Sequence, residues 1–428
     1  MFTTILRRLW TSGHVKWVAV IFVLASVLRI AWIAYVSTDP LESVGPLGIG
    51  GRSDEVFYYG SAQSLAAGDG FLNPLSGRHS ALLGPGYPFA LASLFAVFGS
   101  HLIVAKLFNV FLGAATAVLV DVLATRIRDQ RTGIVAGVLT ALFPSQVFFS
   151  TVLMTEVFFV ALSAALVVLL LMWVVEKERL AVWQVMAVGL LVGFMSLVRV
   201  EAVLLGPAVV VLWKLSGRRW GEVLRFTPLL LVGMVLVIGP WTARNYARFD
   251  EFILVRSSSD TPARVLQIGL SPDFDDGEKY VLQGKDPPTF VDSFEHYRSY
   301  TLDIFVTAGR KLDDLFGKDA DLRWIQGFHD PPPLSRDEVI WWSNLANPYY
   351  FAVGLVALAG APFWLSLRNR RLMLIVWFIG SWSLIHLMFI PTTRYHYPII
   401  PMMCVLAAFV LVSVWDRVAG RRRQLPTS

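Results

Sequence analysis

Stretches of roughly 20 consecutive apolar residues recur along this chain, the length that carries a single helix across the ~30 Å hydrocarbon layer of a bilayer. No other feature limits the fold as strongly. Backbone groups in lipid must be bonded within the spanning structure itself, which leaves helices or closed barrels. The runs lack the alternation of barrel strands. The expected fold class is therefore an all-α polytopic membrane protein, in keeping with a composition that is 55% hydrophobic and 16% charged.

The expected spans are 15–36, 101–124, 132–149, 153–175, 181–198, 200–215, 226–243, 347–367, 372–390 and 396–415, about ten helices by apolar periodicity. The first is too long for a signal-peptide core, and no small-residue cleavage site precedes Ser37-Thr38-Asp39-Pro40, so it should remain as an anchor. The one cysteine, Cys404, falls in the last span. It has no partner for a disulfide within the chain and leaves the redox compartment undetermined.

Orientation follows from where Lys and Arg fall in the short loops. Arg7, Arg8 and Lys16, then Arg126, Arg128 and Arg131, Lys177 and Arg179, Lys214, Arg218, Arg219 and Arg225, Arg368, Arg370 and Arg371, and Arg417 with Arg421 to Arg423 all collect on one side. That side is expected to be cytoplasmic, with both termini on it, in a multi-pass protein of the cytoplasmic membrane. The opposite face receives Asp54 and Glu55, the turn from Pro144 to Glu156, Arg199 with Glu201, and Arg394 to His396. The net charge of +6 is thus a topology signal, and it gives no reason to expect a nucleic-acid partner.

Three parts follow from this map: a membrane module over 1–243 with a large first outer loop at 37–100, an outer subdomain over 244–346, and C-terminal spans with a basic tail over 347–428. Within the first loop, Ser53 or Asp54 can cap a short surface helix whose apolar stripe is Tyr58, Tyr59, Ala62, Leu65 and Ala66, stopped by Gly68-Asp69-Gly70. Gly84-Pro85-Gly86-Tyr87-Pro88 then forces a turn before the apolar run 88–99, which reads as interfacial or re-entrant. In the second outer segment, a helical pattern lies near 290–316. The acidic stretch Asp273 to Glu278 lacks the ligand spacing of an EF-hand and reads as a solvated turn. The pairs Gly133/Gly137 and Gly189/Gly193 mark either close helix packing or a dimer face.

One span, an acidic Asp54-Glu55 loop with a surface helix, the Pro-Gly-Tyr-Pro turn and a second loop ending in Thr155-Glu156 together resemble the bacterial relatives of family 39 glycosyltransferases. That group includes lipid A aminoarabinose transferases and protein O-mannosyltransferases and has the GT-C fold. Leu197-Val198-Arg199-Val200-Glu201-Ala202, Gly239-Pro240-Trp241-Thr242-Ala243-Arg244-Asn245-Tyr246 and Arg394-Tyr395-His396-Tyr397-Pro398 extend the resemblance. It covers most of 15–250 and the last 60 or so residues, and it leaves the outer subdomain aside.

What the resemblance implies is transfer of a sugar from a polyprenyl-phosphate donor to an acceptor at the outer face, with inversion at the anomeric carbon. The acceptor would be a lipid, a polysaccharide or a protein, and membrane lipids would surround the site. A lipid phosphate leaves without protonation, so the chemistry needs a base for the acceptor hydroxyl and cations for the phosphate. The match gives Asp54 as general base, with Arg52 keeping it ionised, against the simpler role of helix cap. Glu55 and Glu156 are the further acidic candidates, and each could instead complement a helix dipole.

Arg394, His396, Arg244 and Arg199 are the candidates for the donor phosphate, and Arg78, His79, Tyr58 and Tyr395 for sugar or acceptor. Arg199 with Glu201 could also simply snorkel to water, and Tyr395 could belong to an aromatic belt. No cofactor is required by the sequence; a divalent metal ion held by Asp54, Glu55, Glu156 and His79 stays open. The competing readings are a transporter or flippase for a lipid-linked substrate, whose charges would sit near the midplane, and a non-catalytic scaffold binding cell-wall components.

Overall fold

A computed structural model describes residues 12–36, 38–39, 54–177, 179–256, 304–319, 322, 325, 329, 332–364, 369–388 and 392–420. Arg52, the stretch Asp273 to Glu278 and the first part of the 290–316 pattern lie outside them. Among the described residues the chain is helical, and six helices are long and apolar enough to cross a membrane.

The first is α1 (Ser12–Tyr35). Two short helices follow, α2 (Asp54–Ala67) and α3 (Gly86–Phe98), which pack on each other. At 1.5 Å per residue, the 13 residues of α3 reach only about 20 Å, too short to span. Gly68, in the left-handed region at φ 89°, ends α2. Then come α4 (Leu102–Ile127), α5 (Gln130–Ala141), α6 (Pro144–Phe148) and α7 (Thr155–Leu170), the last continuing as a π turn over Leu171–Val175. The run expected at 132–149 is therefore broken. Pro144 has no N–H to give the helix ladder, so α5 stops and α6 restarts at Pro144.

Next are α8 (Val182–Val198), a 3₁₀ turn over Val200–Leu204, α9 (Leu205–Leu215) and α10 (Trp220–Phe249). α8 and α10 touch backbone to backbone: a Cβ built at Gly189 would lie 2.3 Å from the Leu230 carbonyl oxygen. The small residues there serve packing inside the bundle. After α11 (Ile304–Phe316), the helix α12 (Arg336–Ala359) starts with a capping box, Ser335 accepting from the Glu338 N–H and Glu338 reaching back to Ser335. Gly360 separates it from α13 (Ala361–Trp364). α14 (Arg370–Met388), a 3₁₀ turn over Thr393–Ile399 and α15 (Ile400–Val418) complete the bundle.

The two ends of the bundle differ in chemistry. At one end Arg126 and Arg371 share Glu176, and Arg128 and Arg131 share Asp416. The N-termini of α2, α3 and α7 meet at the other. Gly86, the first residue of α3, rests on the backbone where α8 ends: a Cβ there would sit 2.7 Å from the Val198 nitrogen and 2.8 Å from the Leu197 carbonyl carbon. Backbone cannot retreat as a side chain can. Gly86→Ala is expected to cost about 1–3 kcal/mol, read as a lower midpoint of thermal unfolding in detergent, and an unchanged midpoint would mean that the turn is looser than this contact requires.

Candidate active site

The sequence breaks its helices where the charges lie. Asp54 and Glu55 form the first turn of α2, Glu156 lies in the first turn of α7, and α8 ends at Arg199, whose backbone is extended at φ −141°, ψ 116°. The 3₁₀ turn after it holds Glu201, and the turn before α15 holds Arg394 and Tyr395. These ends converge on one pocket. Its charged wall is Asp54, Glu156 and Glu201 with Arg199, Arg256 and Arg394, and Tyr58 and Tyr395 supply its phenols.

Glu156 is the hub. It is 3% exposed, and its Oε1 lies 3.4 Å from an Arg199 Nη1 and 3.6 Å from the Arg394 Nη1. The guanidinium of Arg199 lies over the Tyr395 ring at 4.5 Å, and that of Arg394 at 5.4 Å, so one aromatic face carries both cations. That ring is itself fixed: Trp382 Nε1 donates to the Tyr395 carbonyl at 2.8 Å, and His386 stacks on it at 4.7 Å.

Asp54 stands opposite this group. Burial pushes its carboxyl above the ordinary range, and Arg394, Arg256 and Arg199 pull against that rise while Glu156 adds to it. These cations come from other elements of the fold, whereas Arg52, the sequence neighbour expected to act on Asp54, lies outside the described residues. Tyr58 has its hydroxyl pushed up, first by burial and then by Asp54 and Glu156. It stays a hydrogen-bond donor at neutral pH.

The other candidates lie elsewhere. Glu55 is buried with its carboxylate on the Leu153 N–H. His396 is fully buried, Nδ1 2.6 Å from the Leu315 carbonyl and Nε2 3.3 Å from Asp319, which also accepts from Ser145. It joins α6, α11 and the turn before α15. Arg244 donates to the carbonyls of Ser80 and Phe71 at 2.7 and 3.2 Å and lies over the Trp241 ring. It lines a second groove with Phe71, His79, Phe89 and Trp241. Arg78 is exposed on the loop beside it.

Of the charged residues in the pocket, Arg256 alone has no place in the sequence reading. Glu201 was visible as half of the Arg199 pair, but Arg256 lies in a stretch without periodicity. Its one signal was its place shortly after the end of α10. Among the described residues no three His, Cys, Asp or Glu side chains converge as a metal site; one oxygen of Glu55 takes the Leu153 N–H and one of Glu156 faces Arg199 and Arg394.

Comparison with known proteins bears on the fold. Residues 81–242 match the family model for dolichyl-phosphate-mannose-protein mannosyltransferase, which is well under half of the chain. No curated protein sequence matches. Among solved structures, ArnT from Cupriavidus metallidurans bound to undecaprenyl phosphate superposes with a TM-score of 0.57 at 14% identity, over 95% of this chain and 62% of that one. An oligosaccharyltransferase from Archaeoglobus fulgidus tethered to an acceptor peptide gives a TM-score of 0.59 at 14% identity, over 97% of this chain and 52% of its own. The same enzyme with Zn and sulfate gives 0.57 at 12% identity, over 94% and 50%. The chain therefore spans between half and 62% of the length of these neighbours. With helices that match theirs over nearly its whole length, the chain has the GT-C fold of membrane glycosyltransferases.

Proposed function

We propose that the chain is an inverting glycosyltransferase that moves a sugar from a polyprenyl phosphate to an acceptor hydroxyl at the outer face of the cytoplasmic membrane. The observation that carries this reading is the pocket in which Asp54 faces Arg199, Arg256 and Arg394. Such a pocket has what the reaction needs and little else. The acceptor oxygen attacks the anomeric carbon and gives its proton to the Asp54 carboxylate. The bond from that carbon to the phosphate oxygen breaks on the opposite face, and the departing polyprenyl phosphate gains a negative charge that the arginines stabilise.

Burial of Asp54 helps the proton transfer, because a carboxylate with a raised pKa is the stronger base. The Tyr58 hydroxyl can donate to a sugar oxygen. Beside the charged pocket, the groove walled by Phe71, Phe89 and Trp241 suits a lipid chain, and Arg244 with His79 at its edge suits an anionic head. The lipid phosphate bound to ArnT and the family match over 81–242 support the donor class. The pocket's own charges lie together at one end of the bundle, which supports transfer over passage through the membrane. The Lys and Arg loops support an outward site with both termini inside.

The test is turnover by the full chain in detergent given a panel of undecaprenyl-phosphate hexoses and pentoses, with release of undecaprenyl phosphate and the anomeric configuration of the product read by NMR. Consumption of at least one donor with inverted product is expected. Retained configuration would remove the single-displacement mechanism, and a panel left untouched by protein that also fails to bind undecaprenyl phosphate would remove the transferase reading.

A further inference from the structure

Glu55 follows the proposed base in sequence, yet its side chain turns from the pocket into the protein. Its Oε1 accepts the Leu153 N–H at 2.5 Å, and its Oε2 lies 3.4 Å from His329 Nε2. Both side chains are buried, at 2% and 4% exposure. Leu153 comes just before Thr155 and Glu156, which open α7. The contact therefore ties the start of α7 to the start of α2 at the point where each supplies a carboxylate to the pocket.

The second nitrogen of His329 fixes its protonation. Nδ1 lies 2.7 Å from the Ile325 carbonyl, and a carbonyl only accepts, so Nδ1 carries a hydrogen. Nε2 then faces a carboxylate oxygen. A lone pair there would be repelled, so the favourable state holds a second proton and the ring is an imidazolium.

We propose that Glu55 is a positioning residue whose counter-ion is the imidazolium of His329, and that this buried pair is a pH-sensitive latch holding Asp54 and Glu156 in one pocket. Its consequence for turnover rests on the transferase reading; its consequence for structure does not. Burial alone would lower the imidazole pKa, but the nearby carboxylate of Glu55 and the Ile325 carbonyl together outweigh burial and raise it. Lys106 on α4 faces the pair and opposes the second proton, while its Nζ is itself held by the Thr38 carbonyl at 2.6 Å, with Asp39 near it. The latch is complete below the ordinary imidazole value of about 6.5 and is lost as pH rises through the raised one.

Neighbouring bonds, Thr38 to Thr151 and Asn109 to Val152, hold the preceding residues independently. The Leu153 N–H is therefore the group that reports the latch. Hydrogen exchange of the full chain in detergent, corrected for the intrinsic pH dependence and followed from about pH 6 to pH 9 to bracket a raised imidazole, reads it directly. Protection of Leu153 in the natural protein should fall on the order of tenfold across that range. Glu55→Gln keeps an acceptor for Leu153 but no charge, so its lower protection should be flat with pH, and His329→Lys should keep protection at high pH.

If a donor is found, His329→Gln should lower kcat on the order of tenfold, as expected for displaced groups, and abolish the alkaline limb of the pH profile without moving KM. Equal Leu153 protection in the natural protein and Glu55→Gln at every pH would overturn the latch. An alkaline limb that survives in His329→Gln would also overturn it. A natural protein that turns over no donor would count against the transferase reading alone, because the exchange result stands without it.

Discussion

Asp54→Asn is expected to lower sugar transfer on the order of 10²–10⁴-fold, the usual worth of a positioned general base, while leaving the binding of undecaprenyl phosphate within a few fold. The substitution separates the two roles open to this residue. Asn caps a helix as well as Asp does, so a carboxylate that merely capped α2 would be replaced without loss. An amide has no lone pair basic enough to take the acceptor proton, so a carboxylate that acts as base would not be. The pH profile adds a second reading. Burial raises the Asp54 pKa, and the base works only when deprotonated, so the acid limb of the profile should fall as pH drops through that raised value, at a higher pH than an exposed aspartate would give. Full turnover in Asp54→Asn would remove the base assignment, and an acid limb that persists in it would belong to another group.

The fold was legible where hydrophobicity alone decides. The runs 101–124 and 181–198 became Leu102–Ile127 and Val182–Val198. It was least legible where backbone chemistry decides: Pro144 broke one run, and the polar first turn of α12, set by the Ser335 and Glu338 capping box, lies outside any apolar window. Conversely, α10 runs from Trp220 to Phe249 through Pro228 and Pro240, well beyond its apolar centre. Apolar patterning finds the part of a helix that lipid touches, not its caps.

The same limit governs the site. Polar residues at the ends of successive runs mark which end of the bundle they occupy, and Asp54, Glu156, Arg199 and Arg394 share one pocket at that end. Their neighbours around the bundle are a different matter. His396 is two residues from Arg394, but on a 3₁₀ turn it points to Asp319, and Arg244 faces the groove that Leu197 lines. Depth follows from hydropathy, whereas lateral position follows from helix packing, which no short motif encodes. Arg256 and His329 come from segments without a repeating pattern, so only the folded chain brings them to Glu201 and Glu55.

Glu156→Ala should be the most destabilising change in the pocket, costing roughly 3–5 kcal/mol, as when one member of a buried ion pair is removed. The side chains of Arg199 and Arg394 are 9% and 15% exposed, and both use the Oε1 of Glu156. Without that carboxylate, two guanidiniums on the same Tyr395 ring lose their shared anion. The variant should therefore unfold at a markedly lower temperature in detergent. Undecaprenyl phosphate offers a replacement anion between the same two cations, and a ligand that binds only the folded state stabilises it by RT ln(1 + [L]/Kd). Its addition should raise the unfolding midpoint of Glu156→Ala by more than that of the natural protein. If the lipid stabilises both equally, its phosphate sits away from Arg199 and Arg394; if Glu156→Ala unfolds at the natural temperature, the arginines have found water or another anion and the hub described here does not hold the pocket together.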